Sequence, residues 1–167
     1  MYFDECGVML DLSRNGVMKV EAVKKYADMM SLMGLNQLYL YLEDTYEIDG
    51  CPYFGYMRGR YTKEELREVD EYCDLIGIEV IPHIQTLGHM AQYIKWDEGM
   101  KYRDTAEVLI AGEDFTYEFI EKTIKSISSC FKTKKIHLGM DEAGNLGSGK
   151  YYEKMGLLTE KKFFLTI

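Results

Sequence analysis

The sequence predicts an α/β fold, a partial (β/α)8 TIM barrel of about four βα units with parallel strands. Three observations carry this. Short apolar runs alternate with stretches of helical periodicity, the connections are tight at one end of the runs and long at the other, and polar residues collect just past the carboxyl end of every run.

The first run, residues 7–13, ends in polar side chains and is followed by Asn15-Gly16, a turn signal, so it reads as a buried strand. From Val20 the apolar residues Val23, Ala27 and Met30 recur at helical spacing, with Lys24, Lys25 and Asp28 facing away, until Gly34 stops the pattern. The methionines at 29, 30 and 33 read as core. Residues 37–42 are strand-like. A polar loop rich in aromatics then leads to Thr62, which with Glu65 spells a capping box in which each side chain satisfies the other residue's free backbone N–H. Leu66, Val69, Cys73 and Ile76 mark the apolar face of the helix that follows, and Gly77 supplies its left-handed stop. Residues 78–84 form the third run. After a long loop containing Trp96 and Asp104, the residues Ile120, Ile124, Ile127 and Phe131 mark a third helix, and residues 135–140 the fourth strand.

Strands alternating with helices require a parallel sheet, because parallel neighbours need long right-handed crossovers. Doubly wound sheets and barrels both satisfy this. The barrel is favoured because Asp11 and Arg14, Glu43 and Asp44, Gln85 and His89, and Asp141 and Glu142 follow the four runs in turn, and a barrel gathers such strand ends at one mouth. No Gly-x-Gly-x-x-Gly follows the first run, which argues against a dinucleotide fold.

With 167 residues, 47% hydrophobic, the chain can bury one core. Its net charge of −8 would repel a phosphate backbone, so no nucleic-acid partner is expected. No run approaches the ~20 apolar residues of a membrane span, and residues 1–6 lack the pattern of a secretory signal, so the expected location is cytoplasmic. Cys6, Cys51, Cys73 and Cys130 form no Cys-x-x-Cys pair, which fits reduced thiols and no zinc site.

Asp141 and Glu142 adjoin at the end of an apolar strand, where alternation turns neighbouring side chains in different directions and permits different tasks. Glycosidic cleavage needs a proton donor for the leaving oxygen and a negative group near the developing oxocarbenium charge. Glu142 fits the donor if burial in the mouth raises its pKa. An arbitrary Asp-Glu pair would more often be a solvated loop, so the context decides.

That context, His137-Leu138-Gly139-Met140-Asp141-Glu142-Ala143, resembles the signature of family 20 glycoside hydrolases, the β-N-acetylhexosaminidases. Asp11-Leu12-Ser13-Arg14 matches the family's first-strand motif, residues 36–44 resemble its second strand, and residues 81–89, ending in Gly88-His89, are similar to its third. The resemblance implies that Glu142 is the general acid and later the base. It implies that Asp141 orients the substrate's own 2-acetamido group, and that Arg14 binds sugar hydroxyls. Asp44 and His89 match positions that form a carboxylate–imidazole chain to the acid. The reaction implied is substrate-assisted removal of terminal β-linked N-acetylhexosamine (GlcNAc or GalNAc) from a glycan or glycoconjugate, with retained configuration and with no cofactor or metal.

On this resemblance residues 1–156 are the N-terminal half of the catalytic barrel, residues 157–167 are a tail without recognisable relation to the family, and the family's remaining strands contribute residues this chain lacks. The chain by itself is therefore expected to hydrolyse little and to self-associate through open barrel edges. Two other functions fit the residues. One is a non-catalytic carbohydrate-binding fragment, and the other a Mg²⁺-dependent barrel enzyme using Asp11, Asp44, Asp141 and Glu142 as ligands. The aromatic, glycine-rich stretch 52–61 and Trp96 could line a sugar site or pack over the barrel rim, and Arg58 and Arg60 would pair with acidic surface. His137 reads as a barrel-packing residue; His83 has no assignment.

Overall fold

A computed structural model describes residues 3–14 and 16–156; the expected tail, 157–167, lies outside them. Its elements run in the order β1 (Gly7–Asp11), α1 (Val20–Leu32), β2 (Gln37–Glu43), α2 (Lys63–Leu75), β3 (Glu79–Ile84), α3 (Ala91–Ile94), a 3-10 turn (Met100–Tyr102), α4 (Asp114–Ser128) and α5 (Lys150–Met155). The strands form a parallel sheet in the order β1-β2-β3, in which Asp11 pairs with Tyr41 and Tyr41 with His83. Among the described residues no helix is long and apolar enough to cross a membrane.

The period of two divides the sheet as far as Tyr41, beyond which a register shift pairs Glu43 with Ile84. Val8, Leu10, Leu38, Leu40, Leu42, Val80 and Ile84 face the helices and join one core with Val23, Ala27, Met30, Leu66, Val69, Cys73, Phe119 and Ile127. Full burial of each such leucine contributes roughly 1.5–3 kcal/mol. Tyr41 and Ile81 are equally buried yet lie outside that cluster, because odd-numbered positions of β2 and β3 face the barrel interior.

The capping box of α2 forms as its spelling requires: Glu65 N donates to Thr62 Oγ1 at 3.1 Å, and Thr62 N donates to Glu65 Oε2 at 2.9 Å. Two expectations change. Met30 is buried, but Met29 and Met33 are 55% and 75% exposed, since Met29 sits on the side of α1 away from Val23 and Ala27 and Met33 caps the helix beyond its last turn. In α4 the centre of the apolar stripe is Phe119, Thr123 and Ile127, with Ile120 and Ile124 on its flank.

The fourth strand expected at 135–140 is an extended segment bonded to β3 rather than a regular strand. His137 N donates to Pro82 O at 3.0 Å, Ile84 N to His137 O at 2.9 Å and Thr86 N to Gly139 O at 3.1 Å. The ladder breaks because Gly139 N turns to His137 Nδ1 at 3.2 Å, with Gly139 at φ +54°. A Cβ at Gly139 would lie 2.2 Å from Ile84 O, so only glycine allows this approach to β3.

Candidate active site

Each strand delivers its polar residues to one end of the sheet. At β1, the Asp11 carboxylate accepts from Ser13 N at 2.9 Å and Arg14 N at 3.1 Å, an Asx turn that ends the strand and points Arg14 back over it. Burial pushes the Asp11 carboxyl up, but those two N–H groups and the Arg14 guanidinium outweigh it and hold its pKa below the usual value. Arg14 Nη1 is 3.1 Å from Asp11 Oδ2, its Nη2 donates to Tyr41 Oη at 3.3 Å, and its guanidinium lies over the Tyr41 ring.

His89 is the meeting point of three carboxylates. Its Nδ1 is 3.8 Å from Glu43 Oε1, and its Nε2 is 3.4 Å from Asp141 Oδ2 and 3.5 Å from Glu142 Oε2. Three of these four residues hold the left-handed backbone region that non-glycine residues avoid: Glu43 at φ +47°, His89 at +54° and Glu142 at +48°. Such conformations persist only where the surroundings enforce them, and they gather at functional sites. The positive φ of Glu142 also swings it beside Asp141, so the two side chains converge on one imidazole instead of diverging as strand alternation would have them.

Asp44 departs from the expected chain. Its carboxylate, 2% exposed, accepts from Arg58 Nε at 3.2 Å, and Arg58 also donates from Nη2 to Ser13 O at 2.7 Å. Burial raises the Asp44 pKa, with the Arg58 charge opposing. The carboxylate that faces His89 Nδ1 is the preceding one, Glu43. The burial expected of Glu142 is likewise not supplied by the described residues, as its side chain is 78% exposed.

The ligand atoms of His89, Asp141 and Glu142 lie within 4.8 Å of one another, a spacing that suits a cation as well as proton transfer. The four-carboxylate magnesium arrangement does not form, however: Asp11 is turned to Arg14 and Asp44 to Arg58.

Beneath the pair, His83 and His137 stack with ring centroids 3.7 Å apart, and Tyr41 meets His83 edge-on. Burial, then the neighbouring His137, lowers the His83 pKa to about 4. The buried ring is His83; His137, expected to pack the barrel interior, stacks on it but is itself exposed among the described residues. Gly88 lets the acidic pair's loop close in, since a Cβ there would lie 3.1 Å from Asp141 O. The same loop is tied from the other side by Asp104, whose oxygens accept from Tyr151 N at 2.8 Å and Gly147 N at 3.0 Å.

The stretch 52–61 proves to be mainly rim packing. Phe54 is buried against Tyr46, Tyr93 and Phe119, while Tyr53 and Tyr56 pack against Trp96. Arg60 is 4.0 Å from Glu47, the acidic pairing expected of it.

Sequence reasoning missed the parts of Tyr41, Gln85 and Arg58. Tyr41 Oη donates to Glu43 Oε1 at 3.0 Å, and Gln85 Nε2 donates to Tyr41 Oη at 3.1 Å and to Asp141 Oδ1 at 3.0 Å. The available signal was strand parity, which sets Tyr41 and Gln85 on the same face as His83.

Comparison with known proteins identifies the family. Residues 3–155 match the family model described as "Glycosyl hydrolase family 20, catalytic domain". The chain is 30% identical over 152 residues to beta-hexosaminidase 3 of Arabidopsis thaliana, and 29% identical over 171 residues to a beta-hexosaminidase of Akkermansia muciniphila. These alignments take in 84% and 82% of this chain but only 28% and 34% of the two relatives, so the chain spans far less than their full length. Among solved structures, the Streptomyces plicatus N-acetyl-beta-hexosaminidase matches with a TM-score of 0.74 at 26% identity, covering 84% of this chain and 33% of that one. A Vibrio harveyi exo beta-N-acetylglucosaminidase matches in fold with a TM-score of 0.80 at 23% identity, over 96% of this chain and 32% of that one.

Proposed function

The chain belongs to glycosyl hydrolase family 20, over the catalytic domain, and on that premise we propose that it supplies the acidic pair of a site that removes terminal β-linked N-acetylhexosamine by substrate-assisted, retaining hydrolysis. The observation that carries the reading is the approach of His89 Nε2 to both Asp141 Oδ2 and Glu142 Oε2, at 3.4 and 3.5 Å. One imidazole can there serve an acid and a neighbouring charge at once.

In this reading Glu142 gives its proton to the glycosidic oxygen as that bond breaks. The substrate's acetamido oxygen, rather than an enzyme carboxylate, closes on the anomeric carbon to give an oxazolinium ion. A neighbouring nucleophile already attached to the substrate has no translational entropy to lose. Asp141, held below the ordinary carboxylate pKa chiefly by the Gln85 amide, accepts from the acetamide N–H and offsets the charge that develops on the ring. Glu142, now a carboxylate, takes a proton from water, which attacks from the face the leaving group vacated. Arg14, half exposed beside Tyr41, is the group offered to the sugar hydroxyls.

The substrate is a glycan or glycoconjugate ending in N-acetylhexosamine. Hydrolysis of p-nitrophenyl N-acetyl-β-glucosaminide by the polypeptide that carries this chain tests the reading, with Glu142→Gln expected to lose most turnover while still binding a thiazoline mimic of the intermediate. Undiminished turnover in that variant would remove the acid assignment, and saturable sugar binding without product would replace the enzyme with a carbohydrate-binding module. The 167 residues expressed by themselves are expected to hydrolyse little and to associate. Met9, facing the interior at one edge of the sheet, and Leu138 and Met140, on the α4 side at the other, stand 40–51% exposed.

A further inference from the structure

Between Arg14 and the acidic pair lies a buried amide that the chemistry above does not consume. Gln85 is 2% exposed. Its Nε2 has two acceptors, Tyr41 Oη at 3.1 Å and Asp141 Oδ1 at 3.0 Å. Tyr41 Oη spends its own hydrogen on Glu43 Oε1 at 3.0 Å and receives Arg14 Nη2 at 3.3 Å, so toward Gln85 it can only accept. The Asp141 carboxylate can only accept as well. Both hydrogens of the amide therefore have one destination each. The flipped amide would set Gln85 Oε1, which has no hydrogen-bond partner, against a carboxylate oxygen.

We propose that Gln85 is the positioning residue of the acidic pair: braced by Tyr41, its amide fixes the Asp141 carboxylate with Oδ1 on Gln85 and Oδ2 toward His89, and so sets where the substrate's acetamido group is held. The consequence for the acetamide rests on the hexosaminidase reading; the placement of the carboxylate does not. The same amide is the largest influence lowering the Asp141 pKa, with burial opposing and His89 and His83 assisting. Facing Asp141 are Gln85 and His83 from the β3 segment, His89 from the loop beyond it and Glu142 next in the chain; Tyr41, Glu43 and Arg14 stand one bond further back.

The test follows the Asp141 carboxyl by carbon-detected NMR titration in the 167-residue chain, and the pH profile of hydrolysis in the polypeptide that carries it. In Gln85→Leu the Asp141 titration should move up by about one pH unit, and kcat should fall about tenfold to a hundredfold with KM nearly unchanged. The acid limb of the profile should move to higher pH, because an ionised Asp141 is then reached only there. Gln85→Glu keeps the shape but replaces the donor by a second carboxylate, so it should raise the Asp141 titration further and carry the acid limb to still higher pH. A residue that merely fills space predicts a wild-type profile for Gln85→Glu.

If Gln85→Leu fails to fold, Tyr41→Phe removes the brace and should still shift the titration upward. An Asp141 titration unmoved in folded Gln85→Glu and Tyr41→Phe overturns the proposal, even with hydrolysis intact. A shifted titration in a polypeptide that hydrolyses no hexosaminide upholds the positioning and defeats only the reading of the reaction.

Discussion

Arg58 reaches back across the aromatic loop to donate from Nε to Asp44 Oδ1 at 3.2 Å, and its Nη2 lies 3.9 Å from Glu43 Oε2. One guanidinium thus faces two adjacent carboxylates at the end of β2, one of them almost wholly buried.

Removing that cation should be costly. Arg58→Met leaves the Asp44 charge buried without its counterion, and breaking a buried pair from one side costs about 3–5 kcal/mol. Urea unfolding of the single variants and of the Arg58→Met, Asp44→Asn double variant checks this. The double variant should be more stable than Arg58→Met, because it removes the stranded charge; equal loss in both would show that the pair carries no such coupling.

Much of the architecture was written in local spelling. The capping box of Thr62 and Glu65, the alternation in β2 and the gathering of polar residues past each run all express short-range physics, and each appears where the residues require it. Glu142, Asp141, His89 and Arg14 were legible through their motifs. What was not legible depends on distances between elements. Parity sets Tyr41 on the interior face but does not say that its hydroxyl will meet Gln85, a residue 44 positions away. Nor does any local pattern send Arg58 to Asp44 rather than to the surface. The methionines at 29 and 33 misled for the opposite reason: composition suggested core, and the helical period, for Met29, and the helix end, for Met33, place them outside it.

His83 gives a pH dependence with a definite sign. Its folded pKa, about 4, lies below the ordinary histidine value of 6.5, so the unfolded chain binds the proton more readily than the folded one. Stability from this group is complete above about pH 6.5, declines as pH falls toward 4, and loses about 3 kcal/mol in all. His83→Phe keeps a ring against His137 and Tyr41 and should flatten that decline. Chemical denaturation at pH 7.5, 6, 5 and 4 measures it, and a parallel pH dependence in the two proteins would refute the assignment.

Gly139 is the tightest point between β3 and the segment that carries the acidic pair. Gly139→Ala must place a methyl group 2.2 Å from Ile84 O at a backbone φ of +54°, and displacement of the segment should cost more than about 3 kcal/mol. Thermal unfolding followed by circular dichroism reads the loss. A melting temperature within a degree of wild type would mean that the approach is not needed.

Arg14 presents a planar fork shared among Asp11, Tyr41 and Glu43. Arg14→Lys keeps the charge and loses the fork and the stacking on Tyr41, so KM for the aryl hexosaminide should rise about tenfold, with kcat less affected. Steady-state kinetics decides, and an unchanged KM would take Arg14 out of sugar contact.

Size-exclusion chromatography with light scattering addresses the open sheet edges. The 19.4 kDa chain should elute as a larger species, and substituting Leu138 and Met140 by serine should shift it toward monomer. A stable monomer in the unsubstituted chain would mean that its exposed methionines and leucine tolerate water.

Because the two oxygens of Asp104 hold Gly147 and Tyr151 by their backbone N–H groups, the excursion after β3 and the excursion bearing Glu142 are fastened at a shared rivet. Replacing one excursion without the other would separate the buried Asp104 carboxylate from the two N–H groups that it holds. Any exchange of these segments has to transplant both as a unit, with Asp104 and Gly149 included, since the glycine's Cα hydrogen fits against Asp104 O where a methyl group would stand 2.0 Å away.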